Sequence, residues 1–89
     1  MTTESRELFR IALLKILGRI PSAALRLEAI RLNLVTFGFS DAAKEDIAAE
    51  LAYLQDKGFI SEFIKAVSPE NKAWRITAAG RDFIAQNQT

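Results

Sequence analysis

Two short stretches limit what this chain can fold into more than anything else in it. In the first, Leu51-Ala52-Tyr53-Leu54-Gln55-Asp56-Lys57-Gly58-Phe59-Ile60, apolar residues at helical spacing run into a glycine and then directly into residues that favour extended backbone. In the second, Trp74-Arg75-Ile76-Thr77-Ala78-Ala79-Gly80, an extended run ends on a threonine suited to cap a helix. A helix that stops on glycine, a strand, a second strand and a capped helix leave few ways to close a core. The strands form a hairpin and the helices cover it.

The chain has 89 residues, enough for one core without metal or disulfide support, and one domain spanning residues 1–89 is expected, with an ordered core of about 5–86. Hydrophobic residues make up 49% and charged residues 26%, which separates the chain from disordered sequences. It has no cysteine, so no disulfide framework is expected, in keeping with a cytoplasmic protein. The N-terminal residues are polar, and the longest apolar run, Ile11 to Leu14, is too short for a signal peptide or a membrane span.

The spacing predicts a first helix from about Glu4 to Arg19. Phe9, Leu13 and Leu17 join Leu8, Ile11, Ala12, Leu14 and Ile16 to widen its apolar stripe beyond one face, so cover on both sides is expected. Pro21 cannot continue it. Ser22 stands where a helix cap belongs, which predicts a second helix from Ala23 to Thr36 carrying Leu27, Ile30, Leu34 and Phe37. Leu25, Leu32 and Val35 fall off that face, as a wide core stripe or as contacts to another chain. Gly38-Phe39-Ser40 reads as a tight turn in which Gly38 closes one helix and Ser40 caps the next.

The third helix is predicted from Asp41 to Lys57, buried through Ile47, Leu51 and Leu54, with Ala42, Lys44, Glu45, Ala49, Ala52 and Asp56 outward. Residues Phe59 to Val67 read as a strand, Ser68-Pro69-Glu70-Asn71 as a turn and Lys72 to Ile76 as the returning strand. Thr77 then caps a last helix from Ala78 to Ala85, anchored by Phe83 and Ile84, with Gln86 to Thr89 as a candidate disordered tail. The expected fold is mainly α with a small β-hairpin (α+β), in the order α-α-α-β-β-α.

Leu51, Leu54, Gly58 and Ile60, followed by Trp74, Ile76, Thr77 and Gly80, resemble the L-x-x-L-x-x-x-G-x-I … W-x-I-T-x-x-G signature of the winged helix-turn-helix superfamily. From Phe9 to Ala85 the chain is also similar to a group of small, largely uncharacterised winged-helix proteins of Mu-like phages and prophages. The similar segments are Arg10-Ile11-Ala12-Leu13-Leu14, Ser40 through Asp46, and Glu50-Leu51-Ala52-Tyr53-Leu54. The resemblance implies a DNA-binding transcriptional regulator. It supplies no motif of functional residues, and a fold of this kind also serves to bind proteins.

Catalysis is not expected. With neither histidine nor cysteine, the usual general base, thiol nucleophile and zinc ligands are missing, so no catalytic residue, metal site, cofactor or small-molecule substrate is assigned. Glu45, Asp46 and Glu50 are the nearest approach to a carboxylate site, and the first two suit the positive end of the helix dipole. The four glycines stand singly at helix boundaries and form no phosphate loop.

Charge decides how DNA would be met, because phosphate neutralisation supplies most nonspecific affinity. Residues 1–40 set Arg6, Arg10, Lys15, Arg19, Arg26 and Arg31 against Glu4, Glu7 and Glu28, a net of +3. Residues 41–58 set Lys44 and Lys57 against Asp41, Glu45, Asp46, Glu50 and Asp56, a net of −3. The helix that would enter the groove is therefore acidic. Candidate contacts to double-stranded DNA are Ser40, Lys44 and Glu45 on this helix, Lys65, Lys72 and Arg75 on the hairpin, and Arg26 and Arg31 on the second helix. A homodimer is expected, with Leu8, Leu14, Leu25, Leu32, Val35 and Phe63 as candidate interface residues. The alternative is a winged-helix adaptor that binds protein and no DNA.

Overall fold

The computed structural model describes residues 3–65 and 68–87, and of residues 64, 65 and 68–71 the backbone alone. Four helices and three strands follow one another as α1 (Thr3–Gly18), β1 (Leu25–Arg26), α2 (Leu27–Thr36), α3 (Lys44–Asp56), β2 (Ile60–Lys65), β3 (Ser68–Ile76) and α4 (Ala78–Asn87). The α+β architecture and its helix order match the expectation, with one strand added.

Helix α1 is the axis of the molecule. Phe9, Ala12, Leu13, Leu14, Ile16 and Leu17 are all buried, and α2, α3, α4 and β3 all pack against it. The wide apolar stripe is thus used on several sides. Ile30 and Leu34 of α2, Ile47, Leu51 and Leu54 of α3, and Ile60, Trp74 and Ile76 of the sheet complete the core. Leu14, expected at an interface, is fully enclosed there.

The sheet is antiparallel, ordered β1-β3-β2, with β3 in the middle. Leu25 and Arg26 pair with Trp74 and Ala73, while Ile60 to Phe63 pair with Ile76 to Ala73. This pairing corrects the start of the second helix. Residues 25 and 26 are bonded to β3 in extended backbone, so α2 begins at Leu27 rather than Ala23, and Ser22 caps nothing. Its N-cap is Arg26, with φ −79° and ψ 161° and no side-chain cap. Leu25 packs against the core from β1, which accounts for its place off the helical face.

The start of α3 shifts too. The Ala42 N–H donates to the Phe39 carbonyl in a turn, Ala42 is buried rather than outward, and the helix opens at Lys44 with Ala43 as its N-cap. Ser40 lies ahead of the helix and makes no capping bond. Negative charge in the first turn, from Glu45 and Asp46, serves the dipole instead.

Both helix ends that run into glycine match the reading. Gly38 and Gly58 have φ of 86° and 80°. At each, the glycine N–H reaches back three residues and the following phenylalanine N–H reaches back five, to Leu34 and to Leu54. These paired bonds satisfy carbonyls left open at the helix end. The phenylalanines then pack inward, Phe39 edge-on against Phe9 with centroids 5.0 Å apart.

The base of the hairpin is fastened from both sides. Thr77 Oγ1 accepts from the Gly80 N–H at 3.2 Å, as a cap should, and donates to the Gly58 carbonyl at 2.6 Å. The Thr77 N–H donates to the Phe59 carbonyl at 3.0 Å. Gly80 is buried in the same corner, where a Cβ would lie 2.2 Å from the Phe59 carbonyl oxygen. Phe59 and Phe83 stack with centroids 4.7 Å apart.

Further along the hairpin the expectation fails. Residues 68–71 are strand, not turn, with Ser68 opposite Lys65, and Val67 lies outside the described residues. Helix α4 continues through Gln86 to Asn87, past the expected end at Ala85.

Candidate nucleic-acid interface

Helix α3 has two flanks of different character. The one toward α1 carries Glu50, whose Oε2 accepts from Arg10 Nε at 2.5 Å and whose Oε1 lies 3.6 Å from Arg6 Nε. The Arg10 guanidinium also lies 3.7 Å from the centroid of the Tyr53 ring, and Lys57 Nζ approaches the same ring at 5.7 Å. Glu50 is thus spent on holding α3 to α1. Arg10 of α1 and Glu50 of α3 are the two ends of this contact.

Removing Glu50 from the account leaves Asp41, Glu45, Asp46 and Asp56 against Lys44 and Lys57, a net of −2 where the sequence alone has −3. The carboxylate site considered for Glu45, Asp46 and Glu50 is not assembled. Among the described residues no group of three or more Asp or Glu could hold a metal ion.

The other flank faces the hairpin across a groove of about 330 Å³. Glu28 from α2, Ala48 and Ala52 from α3, and Glu62, Lys72 and Trp74 from the hairpin line it. Lys44 stands one helical turn before Ala48, and Arg31 one turn after Leu27 and Glu28, though neither lines the groove itself. Each is exposed and has no partner among the described residues. Lys72 Nζ lies 3.5 Å from Glu62 Oε1, so the hairpin cation nearest the groove is already engaged.

The remaining candidates are spread around the molecule. Alternation along β3 puts Arg75 on the opposite sheet face from Lys72 and Trp74, where its guanidinium lies 4.8 Å from the Phe63 ring centroid. Arg26 is exposed at the α2 N-cap, Ser40 is exposed ahead of α3, and Glu45 is exposed in the first turn of α3. The Lys65 side chain lies outside the described residues. Of the expected interface residues, Leu8, Leu32, Val35 and Phe63 are exposed, at 58%, 73%, 54% and 42%, as is Ile20, which the sequence reading passed over.

Neither Glu28 nor Glu62 was singled out as a candidate contact. For Glu62 the signal was present in the period of two along β2 and β3, which puts it opposite Trp74 on the inward face.

The backbone is similar to that of a PadR-like transcriptional regulator from Bacillus cereus, with a TM-score of 0.75 and 17% identity over 96% of this chain and 82% of that one. It is also similar to a mutant of MepR from S. aureus, with a TM-score of 0.70 and 17% identity over 93% of this chain; it spans 59% of that chain. Likeness at this identity establishes the fold, a winged helix with the hairpin β2–β3 as the wing. No protein-family model matches the sequence. No curated protein matches it significantly. Among the described residues no helix is long and apolar enough to cross a membrane.

Proposed function

We propose that this chain is a non-catalytic, DNA-binding transcriptional regulator of phage type, acting in the cytoplasm as a homodimer by occupying its site. Helix α3 approaches the major groove with its N-terminal end leading, and the wing lies along backbone phosphates. The observation that carries this reading is Lys44, exposed and without a partner among the described residues at the leading end of α3, while Glu50 is turned away and bound to Arg10. Arg31, exposed on α2, is a second cation with no partner among the described residues. The fold shared with a PadR-like transcriptional regulator adds support.

The test is fluorescence anisotropy of pooled random-sequence duplex at low salt, repeated as salt rises. Binding at about micromolar protein with a steep loss on added salt is expected, and Lys44→Ala is expected to lower the salt slope by about one contact. Absence of binding at low salt overturns the reading. Exposed Leu8, Leu32 and Val35 support pairing of two copies, which sedimentation of the wild type against Leu32→Ser checks.

A second reading, a protein-binding adaptor, draws on one specific observation. Glu45, Asp46 and Asp56 remain exposed on α3 with no partner among the described residues, on the surface that DNA would have to approach.

A further inference from the structure

The sheet has a second face, turned away from the core. Leu25, Ile60, Trp74 and Ile76 pack inward, so the period of two along each strand puts Arg26, Ser61, Phe63, Ala73 and Arg75 on the outer side. Register sets Arg26, Ala73 and Phe63 in one row across β1, β3 and β2, with Arg75 and Ser61 in the next row. Phe63 is 42% exposed there, and the Arg75 guanidinium reaches diagonally to within 4.8 Å of its ring centroid. The small Ala73 keeps the middle of its row low, between Phe63 and Arg26 roughly 10 Å apart at two strand spacings.

Charge on this face has one sign among the described side chains. Glu62 points to the other face, where Lys72 Nζ lies 3.5 Å from it, and Glu28 lines the groove on that same side. Beyond the strand ends, α4 adds an exposed Arg81 and an exposed Asp82, which offset each other. The side chains of Lys65 and Glu70, also of opposite charge, lie outside the described residues. Arg26 and Arg75 therefore leave the face cationic around an exposed aromatic ring. Arg26 also interacts within the chain, so Arg75 and Phe63 form the centre of the surface.

We infer that this outer face binds single-stranded nucleic acid, with a base stacked on the Phe63–Arg75 shelf and the adjoining phosphates held by the two arginines. A cation resting on a ring keeps its charge, and guanidinium and phenyl planes both accept a stacked base. Phosphate supplies the negative charge that the face lacks. A duplex keeps its base faces covered by their neighbours, so an exposed ring serves a strand whose bases are free. The surface lies across the sheet from the groove beside α3, and the inference does not depend on the duplex-binding reading.

The test is anisotropy of a labelled oligothymidylate of about twelve nucleotides, titrated with the full chain at low salt and without duplex. Phe63→Ala is expected to weaken binding about tenfold, as loss of one stacked base does. Phe63→Leu, which keeps apolar cover without a ring, is a second variant should Phe63→Ala lower the unfolding midpoint. Arg75→Gln is expected to weaken binding and to lower the salt slope by about 0.7, one phosphate contact on a single strand. Lys44→Ala, on α3, is expected to bind the strand like the wild type.

An abasic strand of the same length carries the phosphates without bases, and it is expected to compete poorly. If it competes as well as oligothymidylate, there is no stacking and the inference falls. Equal losses in Lys44→Ala and Arg75→Gln overturn it by moving the strand to α3 or to diffuse attraction. Full displacement by a glutamate peptide of equal charge overturns it in favour of an acidic protein partner. So does a Phe63→Ala variant that binds the strand like the wild type but no longer self-associates, since Phe63 then belongs to a contact between copies. Because no duplex is present, failure here is distinct from failure of the duplex titration.

Discussion

The base of the wing and the leading ends of α2 and α3 are both places where the chain changes from one element to another, and they are built in opposite ways. At the wing base, Thr77 alone makes four hydrogen bonds that tie the start of α4 to the Gly58–Phe59 junction between α3 and β2, and Gly80 lets the Phe59 carbonyl approach where no side chain would fit. At the leading ends, Arg26 and Ala43 occupy the N-cap positions and neither caps with its side chain. One junction is fixed by several constraints that agree with one another. The other is fixed by what happens elsewhere, through the pairing of β1 with β3 and the burial of Ala42.

This contrast predicts unequal responses to substitution. Gly80→Ala should cost the most, about 3 kcal/mol in denaturant unfolding, because the new Cβ meets backbone that cannot turn aside. A cost under about 1 kcal/mol would mean that the wing base yields to the added methyl and is not rigid. Thr77→Ala follows, at about 2 kcal/mol, from the lost cap and the lost bond to the Gly58 carbonyl.

Ala43→Ser sharpens the comparison from the other side. It supplies a cap where none exists and should raise stability by about 1 kcal/mol, read as a higher unfolding midpoint. Ser40→Ala should be the smallest effect, within about 0.5 kcal/mol, since this serine caps no helix. If Ser40→Ala cost as much as Thr77→Ala, the two junctions would not differ and the contrast would be broken.

The same contrast separates what could be read in the sequence from what could not. Glycine at 38 and 58 and threonine at 77 act on neighbours within five residues, so local chemistry was enough to place the ends of α2 and α3 and the start of α4. The starts of α2 and α3 were misplaced because Ser22 and Ser40 are good caps by local rules; pairing with a strand far along the chain set the first start, and the burial of Ala42 set the second. Pro69 and Asn71 misled for the same reason, as turn-forming residues placed in a strand.

The site was legible to a lesser degree. Lys44 and Arg31 were singled out from charge alone, and both are exposed. The sequence could not show that Glu50 is bound to α1, because Arg10 lies forty positions away and only the packing of α1 on α3 brings them together. Glu62 was not singled out, and its place on the inward face follows from its pairing opposite Trp74.

The two-residue strand β1 bears on how the molecule is made. Leu25 and Trp74 are 49 positions apart, and their pairing closes a loop that holds α2, α3 and β2. Closing a loop of that length is entropically costly and delays the contacts that depend on it, whereas α1, α2 and α3 meet through shorter connections. During synthesis the three helices emerge first. Until residue 74 has been added there is no strand for Leu25 to join, and the connection between α1 and α2 waits for the wing.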